Sequence, residues 1–264
     1  LLWQTLAGTW RLPGTAAGSE PISADRLVSY LTKAVREAKS HTTWTDPDED
    51  YESALTDLAK FCLSDESVAE ALDEFTETTQ TAVRAAILGR VLVQLTMPGV
   101  PDTYQGCEVV DLSLVDPDNR RPVDHHRSAR LLRAVTSNGL DAVADGDRLD
   151  AEKLLVVHRA LDVRRRHADA FRGEHASYRP VATTTGHAVA FARGIDDEPP
   201  TVITVATRLA GALEGRGGWA DHQIVLPEGT FTDVITGKTV EGGMVKLADL
   251  LDEAPVALLT GKEK

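Results

Sequence analysis

The chain of 264 residues is 42% hydrophobic and carries 41 acidic against 28 basic side chains, a formal net charge of −13. It is long enough to bury a sizeable core in one large or two modest domains, and its acidity argues against nucleic acid or an anionic membrane as partner, since either demands a basic face. No apolar run approaches the roughly 20 residues that span a bilayer, and Cys62 and Cys107 supply neither a disulfide framework nor close-set metal ligands, which fits a reducing, cytoplasmic setting.

Leu1 begins the chain with neither an initiator Met nor a basic region leading into an apolar signal core, so a piece of a longer protein is expected. Residues 22–40 read as an amphipathic helix with Leu27, Tyr30, Leu31, Ala34 and Val35 on one face, started by Ser23 after Pro21. Residues 51–62, 66–77 and 79–96 continue as helices, the last apolar enough to be buried, until Pro98-Gly99 stops it. Residues 101–105 then leave room for one short strand, and Gly106 releases the chain into an acidic loop. Helical patterns return at 127–136 and 152–167, where Arg164, Arg165 and Arg166 suit a helix C-terminus and form a solvated face. Trp3 and Trp10 read as core anchors. From about residue 176 the pattern changes to short β-branched or alternating runs at 188–193, 201–206, 223–226, 231–234, 239–240, 244–247 and 256–260, separated by Gly, Pro and Asp turns. This order divides the chain into 1–175 and an antiparallel β-domain over 176–264.

After Gly106 the loop to residue 124 carries four Asp, one Glu, one Asn and two Arg. Asp and Asn accept or donate hydrogen bonds to vicinal hydroxyls, Arg forks onto carboxylates that must stay in place, and Tyr104 offers an apolar face with a polar tip. Such groups bind sugars. The bland alternative is a turn held by local Asx bonds and ion pairs, because Asp116-Pro117-Asp118-Asn119 is strong turn chemistry in any setting.

The words of this region are also specific. Pro98-Gly-Val-Pro-Asp-Thr-Tyr-Gln-Gly106 with Glu108 resembles the eighth strand and following loop of the α-amylase superfamily barrel. Leu114-Val-Asp-Pro-Asp-Asn-Arg-Arg-Pro-Val-Asp124 is similar to the version in the maltooligosyltrehalose synthase family, as are Leu1-Leu-Trp-Gln-Thr-Leu-Ala-Gly-Thr-Trp10, Arg36-Glu-Ala-Lys-Ser-His-Thr-Thr-Trp44-Thr-Asp-Pro47 and Tyr51-Glu52. The matches cover about the first 180 residues in family order. The fold that this resemblance implies is α/β plus β: the last helices and eighth strand of a (β/α)₈ barrel, then an antiparallel β-domain. A lone strand cannot pair its own backbone, so an N-terminal remainder of the barrel is implied as its partner.

The resemblance further implies an intramolecular glucosyl mutase that turns the reducing-end α-1,4 bond of a maltooligosaccharide into an α,α-1,1 bond. The family's nucleophile, acid/base and third Asp fall on earlier strands, so no catalytic carboxylate is expected in this chain, which alone is expected to be inactive; no cofactor and no metal are implied. The expected substrate contacts are Tyr104, Gln105, Asp116, Asp118, Asn119, Arg120 and Arg121, with Asp102, Glu108, Lys39, His41 and Trp44 as further candidates. His125 and His126 would point about 100° apart on a helix, a poor joint metal site. Two other readings stay open: a hydrolase of the same superfamily, in which water reaches the intermediate, and a non-catalytic carbohydrate-binding or assembly fragment.

Overall fold

The computed structural model describes residues 1–261; the last three residues of the expected β-domain, 262–264, lie outside the described residues. Four helices lead: α1 (Leu2–Thr9), α2 (Ala24–Ala38), α3 (Glu49–Ser64) and α4 (Glu66–Thr96). Side-chain caps start three of them, since an oxygen acceptor satisfies an N–H that the first turn leaves orphaned. Ser23 accepts from Arg26 N at 3.5 Å, Asp48 from Tyr51 N at 2.9 Å and Asp65 from Val68 N at 3.1 Å. Residues 66–77 and 79–96, expected as two helices, are one of 31 residues, because no Gly or Pro stands at the join around residue 78.

The expected strand at 101–105 does not form: those residues are irregular, and none of the six strands pairs with them. A strand exists only through a neighbour's hydrogen bonds, and no described strand supplies them to these residues. The chain resumes with α5 (His125–Asn138), capped by Asp124, then α6 (Arg148–Arg166) and the single turn α7 (Ala168–Phe171).

The C-terminal strands are β1 (Ala176–Pro180), β2 (Ala188–Ile195), β3 (Val202–Thr207), β4 (Gln223–Asp233), β5 (Thr239–Lys246) and β6 (Val256–Gly261), with short helices α8 (Ala210–Glu214) and α9 (Leu247–Leu250) between them. They make one antiparallel sheet in the order β1-β2-β3-β6-β4-β5. Two pairs of expected strands are fused. Pro227 and Gly229 read as a turn, but they form an irregularity between Leu226 and Thr230 within β4. Opposite it, a Cβ on Gly242 of β5 would stand 2.0 Å from the Pro227 carbonyl oxygen, so only glycine lets the two backbones approach.

Two apolar layers flank the central strands. Val202, Ala206, Val256 and Leu258 pack with Leu88, Leu92 and Leu95 of α4 and Val156, Ala160 and Val163 of α6. The alternate residues Ile203, Val205, Ala257 and Leu259 pack on the other side with Ile224, Phe231, Leu247 and Leu250. A separate cluster of Leu6, Trp10, Leu27, Leu31, Ala59 and Cys62 binds α1, α2 and α3 together.

Two expectations about side chains are corrected. Trp3 is 58% exposed while Trp10 is 3% exposed and donates its indole N–H to Asp73 at 2.8 Å, so only Trp10 anchors the core. Arg164 is not a solvated group: it donates to the Leu95 carbonyl at 2.7 Å, capping the C-terminal end of α4, and lies over the Phe171 ring. Arg165 and Arg166 pair with Asp162.

Candidate functional site

The segment between α4 and α5 has no strand partner, so charged side chains from elsewhere hold its backbone. Asp150, fully buried in the first turn of α6, accepts from Ala16 N at 3.0 Å, Val110 N at 2.9 Å and Arg127 Nη2 at 2.7 Å. Lys153, one turn on and 4% exposed, donates to the Val109 carbonyl at 2.6 Å, and burial pushes its pKa down. The start of the loop is tied to α6 by these two residues.

The middle of the loop is tied to α2. Arg26 forks onto Asp118 at 2.8 and 2.9 Å and also reaches the Leu112 carbonyl at 3.1 Å. Asp118 accepts from Leu114 N at 2.7 Å as well, and the Arg26 guanidinium holds its carboxyl below the usual range. Lys33 donates to the Asp116 carbonyl. Arg121 donates to the Asp118 carbonyl at 3.1 Å and to Ser113 Oγ at 3.0 Å, while Arg120 pairs with the Asp116 carboxylate. Gly106 has φ +80 and its missing Cβ would press on Val123 at 3.1 Å, so it fixes the path where the loop departs.

The sequence-derived candidates fall into several concavities. Gln105, Asn119 and Arg121 line one of about 250 Å³ together with Asp124; Gln105 donates to the Arg121 carbonyl at 3.4 Å, and Asn119 Oδ1 is shielded from solvent without a hydrogen-bond partner among the described residues. Asp102, Tyr104 and Glu108 line another of about 460 Å³ with Lys153 and Cys107. Asp116 and Asp118 close a third, of about 270 Å³, against α2. Lys39 sits exposed with φ 55 at the end of α2, and His41 stacks on Tyr51 with ring centroids 5.0 Å apart. Trp44, 56% exposed, lies under the Arg36 guanidinium at 4.9 Å. Arg36 forks onto Glu52 at 2.8 and 2.6 Å, Thr42 donates to Glu52 at 2.6 Å, and these bonds lower the Glu52 pKa to about 2.

Sequence reading missed Arg26, Lys33, Arg127, Asp150 and Lys153. The last two stand in a stretch of α6, Leu149 to Val156, that is buried throughout, and charged residues set among Leu149, Ala151, Leu154, Leu155 and Val156 were a readable signal. Arg26 and Lys33 carried none, for nothing local shows which way a helical cation reaches. Among the described residues, no group of three or more His, Cys, Asp or Glu is placed to hold a metal ion, and no helix is long and apolar enough to cross a membrane.

The architecture is thus a mixed helical and antiparallel-sheet unit bearing a clamped acidic loop, and known proteins share it. No family model matches the chain. A curated protein of Mycobacterium tuberculosis, provisionally named maltooligosyl trehalose synthase, is 35% identical over 262 residues, covering 98% of this chain and 31% of that protein. The maltooligosyltrehalose synthase structure from Arthrobacter ramosus superposes with a TM-score of 0.85 at 36% identity, over 99% of this chain and 32% of that one. A hypothetical maltooligosyl trehalose synthase of Sulfolobus tokodaii follows with a TM-score of 0.71 at 28% identity, over 99% of this chain and 31% of that one. The chain matches a C-terminal portion of the maltooligosyltrehalose synthases and spans about 31% of the curated relatives' length.

Proposed function

We propose that this chain forms one wall of the saccharide pocket in an intramolecular glucosyl mutase of the α-amylase superfamily, a cytoplasmic enzyme acting on maltooligosaccharides. In this reading residues 1–175 complete a (β/α)₈ barrel, residues 101–105 become its eighth strand once an N-terminal remainder pairs with them, and residues 176–264 form the β-domain that packs on it. Active sites of such barrels lie at the C-terminal ends of the strands, which is where the loop after Tyr104 emerges.

The observation that carries the reading is the concavity at Gln105, Asn119 and Arg121, whose Asn119 Oδ1 is withheld from solvent with no hydrogen-bond partner among the described residues. A buried acceptor without a donor costs free energy unless a ligand supplies one, and a sugar hydroxyl does so. Arg26 and Asp150 hold the loop that presents it. Asp118 has its carboxylate committed to Arg26 and Leu114, so in this reading it orients Asn119 and Arg121 rather than gripping glucose. A retaining mechanism uses two carboxylates about 5–5.5 Å apart; those come from the remainder. The task of the present wall is to keep the released glucose oriented and water out, so that the anomeric hydroxyl attacks the glycosyl-enzyme instead.

The test is Asn119→Ala in the full-length protein, with the ratio of transfer to hydrolysis on maltopentaose read beside the thermal midpoint. Loss of one hydrogen bond, about 0.5–1.5 kcal/mol, should shift the ratio toward free glucose roughly 2- to 12-fold at an unchanged midpoint. An unaltered ratio removes Asn119 from the site. A parent protein that yields only glucose and shorter maltooligosaccharides belongs with the hydrolases, and one without turnover is a binding fragment.

A further inference from the structure

A second feature, on α2, stands apart from the concavity at Asn119. Asp25, Ser29, Thr32, Lys33 and Arg36 recur at helical offsets of three and four, so they lie along one face for about 16 Å at 1.5 Å per residue. Two hollows run along this face and share Asp25, Ser29 and Lys33: one of about 460 Å³ bounded by Trp44 and Lys60, the other of about 270 Å³ bounded by Tyr30 and the 115–118 turn. The hydroxyls of Ser29 and Thr32 and the carboxylate of Asp25 make no hydrogen bond among the described residues, leaving donors and acceptors free.

At one end stands Trp44. Its ring is 56% exposed, yet one side is fixed beneath Arg36, which Glu52 and Thr42 lock in turn. The ring is therefore a preorganised apolar plate bounding a hollow with free hydroxyl-binding groups. Over the two hollows together Asp25, Asp116 and Asp118 balance Arg26, Lys33 and Lys60, which suits an uncharged ligand better than a phosphate or an acidic peptide. A wide aromatic plate beside alternating donors and acceptors matches the C–H face and hydroxyl edge of a pyranose.

We infer that this face of α2 is a saccharide-binding groove, with Trp44 as its stacking platform and Asp25, Ser29 and Thr32 as its hydroxyl contacts, for a linear neutral α-glucan chain. The α-1,4 class rests on the proposed function; the groove itself does not. Its occupant docks outside the Asn119 concavity, which lets the protein hold a glucan independently of any bond it rearranges.

The experiment is calorimetric titration of the full-length protein with maltoheptaose, and with cellopentaose as the β-linked comparison. Trp44→Ala should weaken maltoheptaose binding roughly 3- to 10-fold, as loss of an aromatic contact does, while Trp44→Phe retains most of the affinity and both keep the parent thermal midpoint. Ser29→Ala with Thr32→Ala should weaken it further. Unchanged affinity in Trp44→Ala, or quenching data showing Trp44 inaccessible in the full-length protein, overturns the groove. Equal affinity for cellopentaose overturns the α-linked class. If the parent shows no glucosyl transfer yet binds maltoheptaose through Trp44, the mutase reading fails and the groove stands.

Discussion

In the sheet, β3 and β6 each lie between two strands, so their N–H and C=O groups are met by a ladder and their side chains are buried on both faces. Between α4 and α5 the backbone is met by side chains instead: Asp150, Lys153, Arg26, Lys33 and Asp118 take groups at 109, 110, 112, 114 and 116. One region is held by many weak, interchangeable apolar contacts, the other by a few charges that have no substitutes. The same contrast separates two shielded acids. Asp118 faces a guanidinium and is held below the usual carboxyl range; Asp233, 1% exposed at the end of β4, meets only neutral donors such as Leu258 N and Thr236 Oγ1, and burial pushes it up. Hydrogen bonds alone do not offset desolvation there, whereas a paired cation does.

The largest test of this contrast is Asp150→Ala. It strands two backbone N–H groups and strips Arg127 of one carboxylate, so it should cost about 3–5 kcal/mol. Leu258→Ala in the sheet falls in a similar range, about 2–5 kcal/mol, for a different reason, the cavity left behind. Urea unfolding measures both, and the distinguishing sign is salt: added NaCl should shift the midpoint difference for Asp150→Ala and leave that for Leu258→Ala alone. Equal salt responses would remove the distinction.

Acid should separate the regions next. Asp118 has a folded pKa below its ordinary 3.8, so its stabilisation is complete above that value and is lost as pH falls through the lower folded one. Asp233 has a raised pKa, so its contribution is complete below 3.8 and is lost as pH rises through the folded value. Between pH 6 and about 3, amide exchange corrected for its intrinsic rate should show protection falling at Leu114 while Leu258 keeps its own. Simultaneous loss at both amides would show a single cooperative unit.

The smallest effect belongs to Tyr104, 49% exposed and with a hydroxyl that makes no hydrogen bond among the described residues. Tyr104→Ala should change the stability of this chain by no more than about 0.5 kcal/mol, as surface substitutions usually do. A larger loss in a melting experiment would mean that the segment is packed on its own, without a partner strand.

Periodicity was a sound guide wherever a residue's environment is set by near neighbours. Leu27 and Leu31 on α2, the Ser23 cap, the stop after Thr96 and the short apolar runs of β2, β3 and β6 follow from local offsets and neighbours. The fused β4 and β5 escaped because Pro227 and Gly242 signal a turn locally, and only the facing strand converts them into a bulge and a close approach. In the site, residue types pointed to the loop, but not to how it is held. Whether Asp118 meets solvent or Arg26 depends on a helix 92 residues earlier. Residues 101–105 illustrate the opposite limit: a strand was expected from the sequence pattern, and no strand among the described residues pairs with them.

The reach of Asp150 bears on how variants of this protein should be interpreted. Its three contacts lie 134, 40 and 23 residues away along the chain, at Ala16, Val110 and Arg127. In a mutational scan these four positions form one genetic locus: a change that tilts any of them shifts the same acidic loop, and doubles among them should show epistasis where separate sites add. Variation near residue 16, far from the loop in the alphabet of the sequence, is variation in the loop's own support.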